Sequence, residues 1–359
     1  GDVYKRQEKR TVWIRNTENQ KQERITGGKE MYIASDTRYE KMKYNRCGKS
    51  GLMLPAVSLG LWHNFGDTGV YAKMEEMCFT AFDHGITHFD LANNYGPKAG
   101  SAESNFGKIL KEHFMPYRDE MIISTKAGYD MWPGPYGDWG SRKYLIASID
   151  QSLKRLGLDY VDIFYHHRMD PNTPLEETMG ALSQIVASGK ALYVGLSNYD
   201  GPTLEKASAI LDELHVPFVI NQNCYNIFDR TIEQNGLKAM SEKIGKGIIC
   251  FSPLAQGMLS DRYLNGIPED SRVRTDGRFL QESRLSEEVL GKIRALNEIA
   301  EGRGQTLAEM ALAWLLKEEV ITSVLAGASK PSQILYNIKA VENTSFTQDE
   351  IETIDRISK

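Results

Sequence analysis

Eight short apolar runs, each separated from the next by a longer segment, constrain the fold more than any other feature of this sequence. The runs span residues 55–60, 86–90, 121–126, 160–166, 191–197, 218–222, 247–252 and 323–326. Most of them lack apolar–polar alternation, as expected for parallel strands with both faces buried. Helical periodicity marks residues 74–83, 104–113, 142–156, 175–187, 203–214 and 231–244, and further helices are predicted near 287–301, 331–341 and 348–357. Eight alternating units predict an α/β fold, a (β/α)8 TIM barrel.

Two segments should modify this barrel. Residues 43–46 and 53–54 predict an N-terminal β-hairpin that closes the bottom of the barrel. The connection after strand 7 runs from residue 254 to about residue 306. A loop of this length on a barrel is usually functional, so we expect a flap there.

The first 30 residues differ from the rest of the chain. They mix charges without helical or strand periodicity and contain no apolar run of a secretory signal, and Met31 is the first methionine. We expect residues 1–30 to be a disordered leader, a tag or an upstream artefact, and residues 31–359 to form a single barrel domain. A basic interaction arm is the alternative.

Composition excludes several classes of function. The formal net charge is −5, with 43 basic and 48 acidic residues, which argues against broad nucleic-acid binding. The four cysteines, Cys47, Cys78, Cys224 and Cys250, form no CxxC pair. We therefore expect reduced thiols in a cytoplasmic protein and no metal site. No apolar run approaches the ~20 residues that span a bilayer, and homo-oligomer formation is left open.

Polar residues end five consecutive predicted strands. Asp90 ends the second strand, Lys126 the third, His166 and His167 follow the fourth, Asn198 follows the fifth, and residues 221–223 end the sixth. Active sites of barrels lie at the carboxyl ends of the strands. Their joint placement on one rim predicts an active site, although each residue alone also has a structural explanation.

An aspartate, a tyrosine, a lysine and a histidine on this rim are suited to protonating a carbonyl oxygen. A lysine cation beside Tyr95 would favour the phenolate and lower the tyrosine's pKa, and Asp90 would keep Lys126 charged. A tyrosine tuned in this way can act as a general acid near neutral pH. A histidine can position the carbonyl group and stabilise charge on its oxygen. The reaction also needs a hydride source, which implies a nicotinamide cofactor.

The cofactor would bind without a Rossmann fingerprint, because no GxGxxG follows a predicted strand. Gln222 and Tyr225 follow strand 6, and the tyrosine could stack on a nicotinamide ring. Residues 252–257 follow strand 7 and could wrap a pyrophosphate. Residues 327–331 follow strand 8 and open a helix whose amides could bind phosphate.

At these positions the sequence resembles the aldo-keto reductase superfamily. The matching segments are residues 85–96 (GITHFDLANNYG), 123–126, 160–168, 195–198, 251–254 and 327–329, within a resemblance that covers about residues 39–357. Segments 59–66 and 125–137 are similar to those of bacterial L-glyceraldehyde 3-phosphate reductases and potassium-channel β subunits.

The resemblance implies roles for individual residues. Asp90, Tyr95, Lys126 and His167 would be the catalytic tetrad, with His166 as the rival for the histidine role. The implied cofactor residues are Gly60, Trp62, Asn198, Gln222, Tyr225, Ser252, Leu254, Gln256, Gly257, Arg262, Gly327, Ser329, Lys330, Gln333 and Asn337. Arg262 stands where relatives often have lysine, and Lys330 where they often have arginine. We expect the protein to prefer NADPH to NADH as its cofactor, because Ser329, Lys330 and Arg262 could bind the extra phosphate of NADPH.

Three classes of function remain open. The first is a reductase of short aldehydes, with L-glyceraldehyde 3-phosphate and methylglyoxal as leading substrates. Trp62, His63, Trp132 and Arg168 would contact that substrate, Arg168 through its phosphate or, alternatively, only through an ion pair with Asp170. The second is a nucleotide-binding regulatory subunit similar to the channel β subunits, which have asparagine at the position of His167. The third is a barrel isomerase or lyase without a nicotinamide.

Overall fold

The computed structural model describes residues 32–265, 267 and 285–359, together with the backbone of four residues near position 28. It divides into two units, residues 1–33 and residues 34–359. In the first unit, Ile25–Thr26 pairs antiparallel with Lys29–Glu30, inside the segment for which we expected no regular structure. The rest of residues 1–31 lies outside the described residues, so the interpretation as a leader stays a prediction.

The second unit contains a closed barrel of eight parallel strands, which confirms the predicted fold class. The strands are β1 (Val57–Gly60), β2 (His88–Asp90), β3 (Ile122–Ala127), β4 (Val161–His166), β5 (Ala191–Ser197), β6 (Phe218–Cys224), β7 (Gly247–Phe251) and β8 (Ile321–Ala326). Sequence neighbours pair around the ring, and β8 closes it on β1 with Val324 opposite Val57. All carboxyl ends therefore meet at one rim.

Eleven α-helices are described around the strands. They are α1 (Tyr71–Asp83), α2 (Ser101–Ile109), α3 (Arg142–Leu156), α4 (Leu175–Ala187), α5 (Gly201–Glu213), α6 (Thr231–Gln234), α7 (Leu237–Ile244), α8 (Glu287–Gly302), α9 (Leu307–Leu316), α10 (Pro331–Ile338) and α11 (Gln348–Ser358). Ser141, Asp200 and Ser286 begin α3, α5 and α8 by accepting a backbone N–H bond two or three residues into the helix.

The structure differs from the predictions mainly in one helix and in the starts of three strands, since β1 begins at Val57, β2 at His88 and β8 at Ile321. The helix expected over residues 231–244 is broken at Gly236, whose φ of +80° is incompatible with a continuing α-helix. The second strand begins at His88 instead of residue 86, because the chain is still leaving the turn at Gly85, with φ +85°. None of these differences moves a rim residue.

The predicted hairpin is present. Tyr44–Arg46 pairs antiparallel with Met53–Pro55. Leu52 and Leu54 are buried in one cluster with residues from the barrel interior, including Ile220 and Leu325. The side chain of Asn45 donates to the carbonyl of Thr322 near the start of β8, at 3.0 Å. The hairpin therefore covers the amino-terminal end of the barrel, opposite the rim.

The connection after β7 is long, as predicted. It contains 3-10 turns at Ala255–Gly257 and Asp261–Tyr263 and reaches α8 at Glu287. Residues 266 and 268–284 lie outside the described residues. In the part of the chain that is described, no helix is both long and apolar enough to cross a membrane. All four cysteines are free thiols.

Candidate active site

Asp90 forms the fixed centre of the rim. It ends β2 and is fully buried. Its carboxylate accepts hydrogen bonds from the Lys126 ammonium, from Ser124 Oγ at 2.6 Å and from Gln222 Nε2 at 3.1 Å. Lys126 is also fully buried and donates to the carbonyl of Leu91 at 2.6 Å. The buried ammonium is therefore paired and hydrogen-bonded, which is the condition for retaining its charge away from water.

A chain of buried hydrogen bonds supports Asp90 from below. Ser124 Oγ donates to Asp90, so it accepts from His88 Nε2 at 2.9 Å. His88 Nδ1 then accepts from Ser58 Oγ at 2.9 Å, and Ser58 lies 2.7 Å from Ser323 Oγ. Burial lowers the pKa of His88 to about 4, so the imidazole is neutral and has this one tautomer. Side chains from β1, β2, β3 and β8 thus form one chain of hydrogen bonds that ends at the Asp90 carboxylate.

Tyr95 lies in the loop after β2, partly buried, with the Lys126 ammonium 5.0 Å from its ring centroid. We predicted that the lysine would lower the tyrosine's pKa, and the direction is wrong. Burial raises the pKa of Tyr95 well above its ordinary value, and the Asp90 carboxylate and Tyr129 raise it further. The ammonium is shared with Asp90, so desolvation of the phenol dominates. Tyr95 therefore keeps its proton and is able to donate it.

The two neighbouring histidines point to different surroundings. The ring of His167 lies 6.1 Å from that of Tyr95 and 4.6 Å from that of Tyr129. His166 Nδ1 instead forms a hydrogen bond with the Tyr199 hydroxyl, at 2.7 Å. His167 is thus the histidine that the structure brings to Tyr95, as the alternation of side chains along a strand requires.

His167 is a neutral imidazole. Its side chain is buried, and burial lowers its pKa well below the ordinary value, with the Lys126 cation adding to the effect. A neutral ring can donate one N–H to a carbonyl oxygen without bringing a second positive charge into the site. Tyr95 and His167 together therefore present two uncharged donors beside a buried ammonium.

Aromatic side chains form the wall of the rim next to Tyr95. The ring of Trp62 lies 6.2 Å from that of Tyr95 and 4.1 Å from that of His63. Trp132 lies farther out, 5.2 Å from Tyr144, and lines a cleft of about 450 Å³ in the loop after β3. The structure therefore places Trp62 against the tetrad and Trp132 on the outer loop.

Arg168 is engaged in contacts with its own chain. Its Nε donates to the carbonyl of Gly128 at 2.7 Å, and its Nη2 pairs with Asp138 at 2.7 Å. The ion pair we considered with Asp170 is not the one observed, because the Asp170 carboxylate accepts from backbone amides that include that of Gly140. These contacts compete with the predicted contact between Arg168 and a substrate phosphate.

The loop after β7 has an unusual backbone. Ser252, Ala255 and Gln256 have φ of +51°, +48° and +60°, and Gly257 follows at +93°. Left-handed non-glycine residues cost of order 1–3 kcal/mol each and cluster at ligand sites. Successive amides in such turns form concave anion sites. Leu254 is partly buried in the same loop, which is the segment that we predicted around a pyrophosphate.

The segment after β8 offers a helix N-terminus. Lys330 is the exposed N-cap of α10, and its side chain does not cap the helix. Ser329 donates through its amide to Gln333 Oε1 at 2.7 Å, while Gly327 is exposed and Asn337 is buried. Pro331 has no N–H, and the Gln333 amide donates to the Lys330 carbonyl at 3.1 Å, so the Ser332 amide and the Lys330 ammonium are left in this first turn for a phosphate group.

The remaining predicted cofactor residues also lie near the carboxyl ends of strands. Gly60 ends β1, and Asn198 follows β5 with φ +56°. The Asn198 amide donates to the carbonyl of His167 at 3.0 Å. Arg262 is exposed in the turn Asp261–Tyr263. Gly60, Asn198 and the loops after β7 and β8 therefore lie at the carboxyl ends of four barrel strands.

Comparison with known proteins decides the family. Residues 56–359 match the model of the aldo/keto reductase family. The chain belongs to the aldo-keto reductase family. It is 55% identical over 329 residues to the L-glyceraldehyde 3-phosphate reductase of Escherichia coli O157:H7, covering 91% of this chain and 95% of that one. It is therefore an oxidoreductase, and the cofactor of this family is a nicotinamide.

Two further matches are more distant. A putative voltage-gated potassium channel subunit beta of Schizosaccharomyces pombe is 37% identical over 317 residues, covering 86% of this reductase and 91% of that protein. The crystal structure of a thermostable aldo-keto reductase with the inhibitor epalrestat matches with a TM-score of 0.70 at 31% identity. That match covers 88% of this chain and all of the other.

Tyr225 does not reach the rim of this reductase, which corrects our prediction that it stacks on a nicotinamide. Its side chain is fully buried, its ring lies 5.4 Å from that of Trp314, and its hydroxyl donates to Glu233. Phe251 ends β7 just before Ser252, is partly buried, and packs against the barrel core. Sequence reasoning missed Phe251, because an aromatic residue that ends an apolar run is typical of core.

Proposed function

We propose that this aldo-keto reductase uses NADPH to reduce short aldehydes in the cytoplasm, with L-glyceraldehyde 3-phosphate and methylglyoxal as leading substrates. One observation carries the proposal. A protonated Tyr95 and a neutral His167 lie beside the buried Lys126–Asp90 pair at the carboxyl end of the barrel. That is a donor set for a carbonyl oxygen that gains a proton.

The tetrad divides the work as follows. A reduced nicotinamide, when bound at the rim, would supply the hydride for the carbonyl carbon. Tyr95 donates its proton to the carbonyl oxygen, and the Lys126 ammonium near its ring stabilises the phenolate that forms. His167 donates an N–H to the same oxygen and positions it. Asp90 keeps Lys126 charged, because it remains the carboxylate hydrogen-bonded to that ammonium.

The rim residues would hold the dinucleotide. We propose that Phe251, instead of Tyr225, offers its ring face to the nicotinamide and that the left-handed loop at residues 252–257 wraps the pyrophosphate. Lys330 and the Ser332 amide in the first turn of α10 would bind the additional phosphate of NADPH, and Arg262 would add a cation. Hydrogen bonds to charged groups contribute roughly 1.5–3 kcal/mol each, so a preference of tenfold or more over NADH is expected.

The substrate assignment rests on size and on similarity. Trp62 and Tyr95 form a close aromatic wall, which suits a substrate of a few carbons better than a steroid or a long sugar. The phosphorylated aldehyde is the substrate for which the 55% identical relative is named. The alternative function is that of a regulatory subunit that binds NADPH without turnover. It is favoured by the 37% identity to a protein named as a channel subunit.

The decisive experiment measures turnover of the purified chain with a panel of short aldehydes and both reduced cofactors. Tyr95→Phe removes the proton and keeps the ring, so kcat should fall by about 10²- to 10⁴-fold while NADPH binding is unchanged. Tyr160→Phe is the matched control, because Tyr160 directly precedes β4 at the opposite end of the barrel. A Tyr95→Phe variant that kept more than about a tenth of wild-type kcat would exclude the general-acid role. NADPH binding without turnover by the wild type would favour the regulatory subunit.

A further inference from the structure

In the described part of the chain, the orientation of the His167 ring is not fixed by a hydrogen bond to its second nitrogen. A functional histidine is normally oriented by a hydrogen bond to its second ring nitrogen. His167 Nδ1 is buried and has no hydrogen-bond partner among the residues that the structure describes. His166, one residue earlier, has such a bond to Tyr199. The imidazole plane of His167 must therefore be set by packing.

Tyr129 provides that packing. Its ring meets the His167 ring edge-on, with the centroids 4.6 Å apart and the planes at 86°. The backbone before Tyr129 also lies close to His167. A β-carbon built on Gly128 would lie only 2.9 Å from the β-carbon of His167. Any shift of Tyr129 would leave the imidazole free to rotate away from Tyr95.

Tyr129 is held in turn by Arg168. The guanidinium lies over two aromatic rings, 4.1 Å from the centroid of Tyr129 and 3.6 Å from that of Trp139. Its edge is fixed by Asp138 and by the carbonyl of Gly128, both at 2.7 Å. A planar cation that contacts both rings and has a paired edge joins the loop after β3 to the end of β4.

We propose that Arg168 is a positioning residue for His167, acting through Tyr129 on the orientation of the imidazole, and that it does not bind the substrate phosphate. The inference rests on the proposed aldehyde reductase function. Its consequence is that Arg168 matters for the chemical step with every aldehyde, phosphorylated or not. A phosphate contact would instead matter only for the phosphorylated substrate.

The first test compares L-glyceraldehyde 3-phosphate with unphosphorylated glyceraldehyde in wild type and in Arg168→Met. We expect kcat to fall roughly ten- to a hundredfold for both substrates, because small displacements of a catalytic group cost up to about 10²-fold. The ratio of the two kcat/KM values should stay within about twofold of wild type. Arg168→Lys keeps the charge but not the planar stacking, so it should restore kcat only in part. A loss confined to the phosphorylated substrate would overturn the proposal.

The second test asks whether the effect passes through Tyr129. Tyr129→Ala should lower kcat by a factor similar to that of Arg168→Met, and the double variant should be no worse than either, because coupled residues are not additive. Tyr129→Phe keeps the ring and should remain close to wild type. Independent, multiplying losses in the double variant would refute the pathway. If Arg168→Met fails to fold, Arg168→Lys alone and combined with Tyr129→Ala gives the same comparison.

Arg303→Met is the matched control, since Arg303 also lies over an aromatic ring, 3.7 Å from Phe346, and pairs with Glu350 at 2.8 Å. Arg303 is remote from the rim, so kcat of Arg303→Met should match that of wild type. A loss in Arg303→Met equal to that in Arg168→Met would overturn the specific role of Arg168.

The wild-type chain distinguishes the two hypotheses. If it is inactive toward both aldehydes, the proposed function and this inference both fail. If it is active and the Arg168 variants are unaffected, only the inference fails.

Discussion

Replacing Asp90 by asparagine should expose how much the fold depends on one buried ion pair. Asp90 and Lys126 are both fully buried, and the variant leaves the ammonium without its carboxylate. Removing one partner of a buried pair costs about 3–5 kcal/mol in the free energy of unfolding. With a urea slope of about 2–3 kcal/mol/M, the midpoint should fall by roughly 1–2.5 M.

The same variant should change the pH dependence of stability. Burial already lowers the pKa of Lys126, opposed by Asp90 and then by Glu103. Without Asp90 the pKa falls further, while in the unfolded chain it stays at its ordinary value. Between those two values the unfolded state binds more protons, so the free energy of unfolding rises with pH. The deficit of Asp90→Asn relative to wild type should therefore be largest near neutral pH and shrink toward pH 10.

Urea unfolding followed by circular dichroism at a series of pH values measures both effects. The double variant Asp90→Asn with Lys126→Met removes the stranded charge and should recover part of the lost stability. The reasoning would be refuted by a deficit under about 1 kcal/mol, by one that grows with pH, or by a double variant less stable than Asp90→Asn alone.

Two further predictions concern the rim. Lys330→Met should lower the NADPH to NADH ratio of kcat/KM by about tenfold, through loss of a charged hydrogen bond to the additional phosphate; an unchanged ratio would remove Lys330 from that role. His167→Ala should reduce kcat/KM for aldehydes far more than His166→Ala, because only His167 lies against Tyr95; a larger loss at His166 would contradict the register of β4.

The barrel could be predicted because burial on both faces leaves a strong signal in the sequence. Residues 160–166 and 191–197 were predicted as strands within one residue of β4 and β5. The break at Gly236 could not be predicted from periodicity, because the segments on both sides of it are helical. What interrupts them is a left-handed glycine packed against Gly201, a contact between distant parts of the chain.

The site divides in the same way. Asp90 and Lys126 were placed together because β2 and β3 are neighbours, Asp90 ends β2, and Lys126 is the penultimate residue of β3. The contacts of Tyr225 and Arg168 could not be predicted. Tyr225 packs on Trp314, far along the sequence, and the partner of Arg168 depends on a loop in which Trp139 has φ +70°. The order of the strands determines which strand ends are neighbours, but the conformation of the loops determines which side chains contact each other.

The closure of the barrel by β8 on β1 has a consequence for synthesis of the chain. Val57 has its partner in Val324, and Asn45 of the hairpin bonds to Thr322. At about 5–20 residues per second, a ribosome needs roughly 15–50 s to make the chain between those strands. Until then β1 presents an unpaired edge, the kind of surface on which other chains add strands. The time for which the nascent barrel stays open is therefore set by translation, and slowing the ribosome late in the message should lengthen its exposure to aggregation.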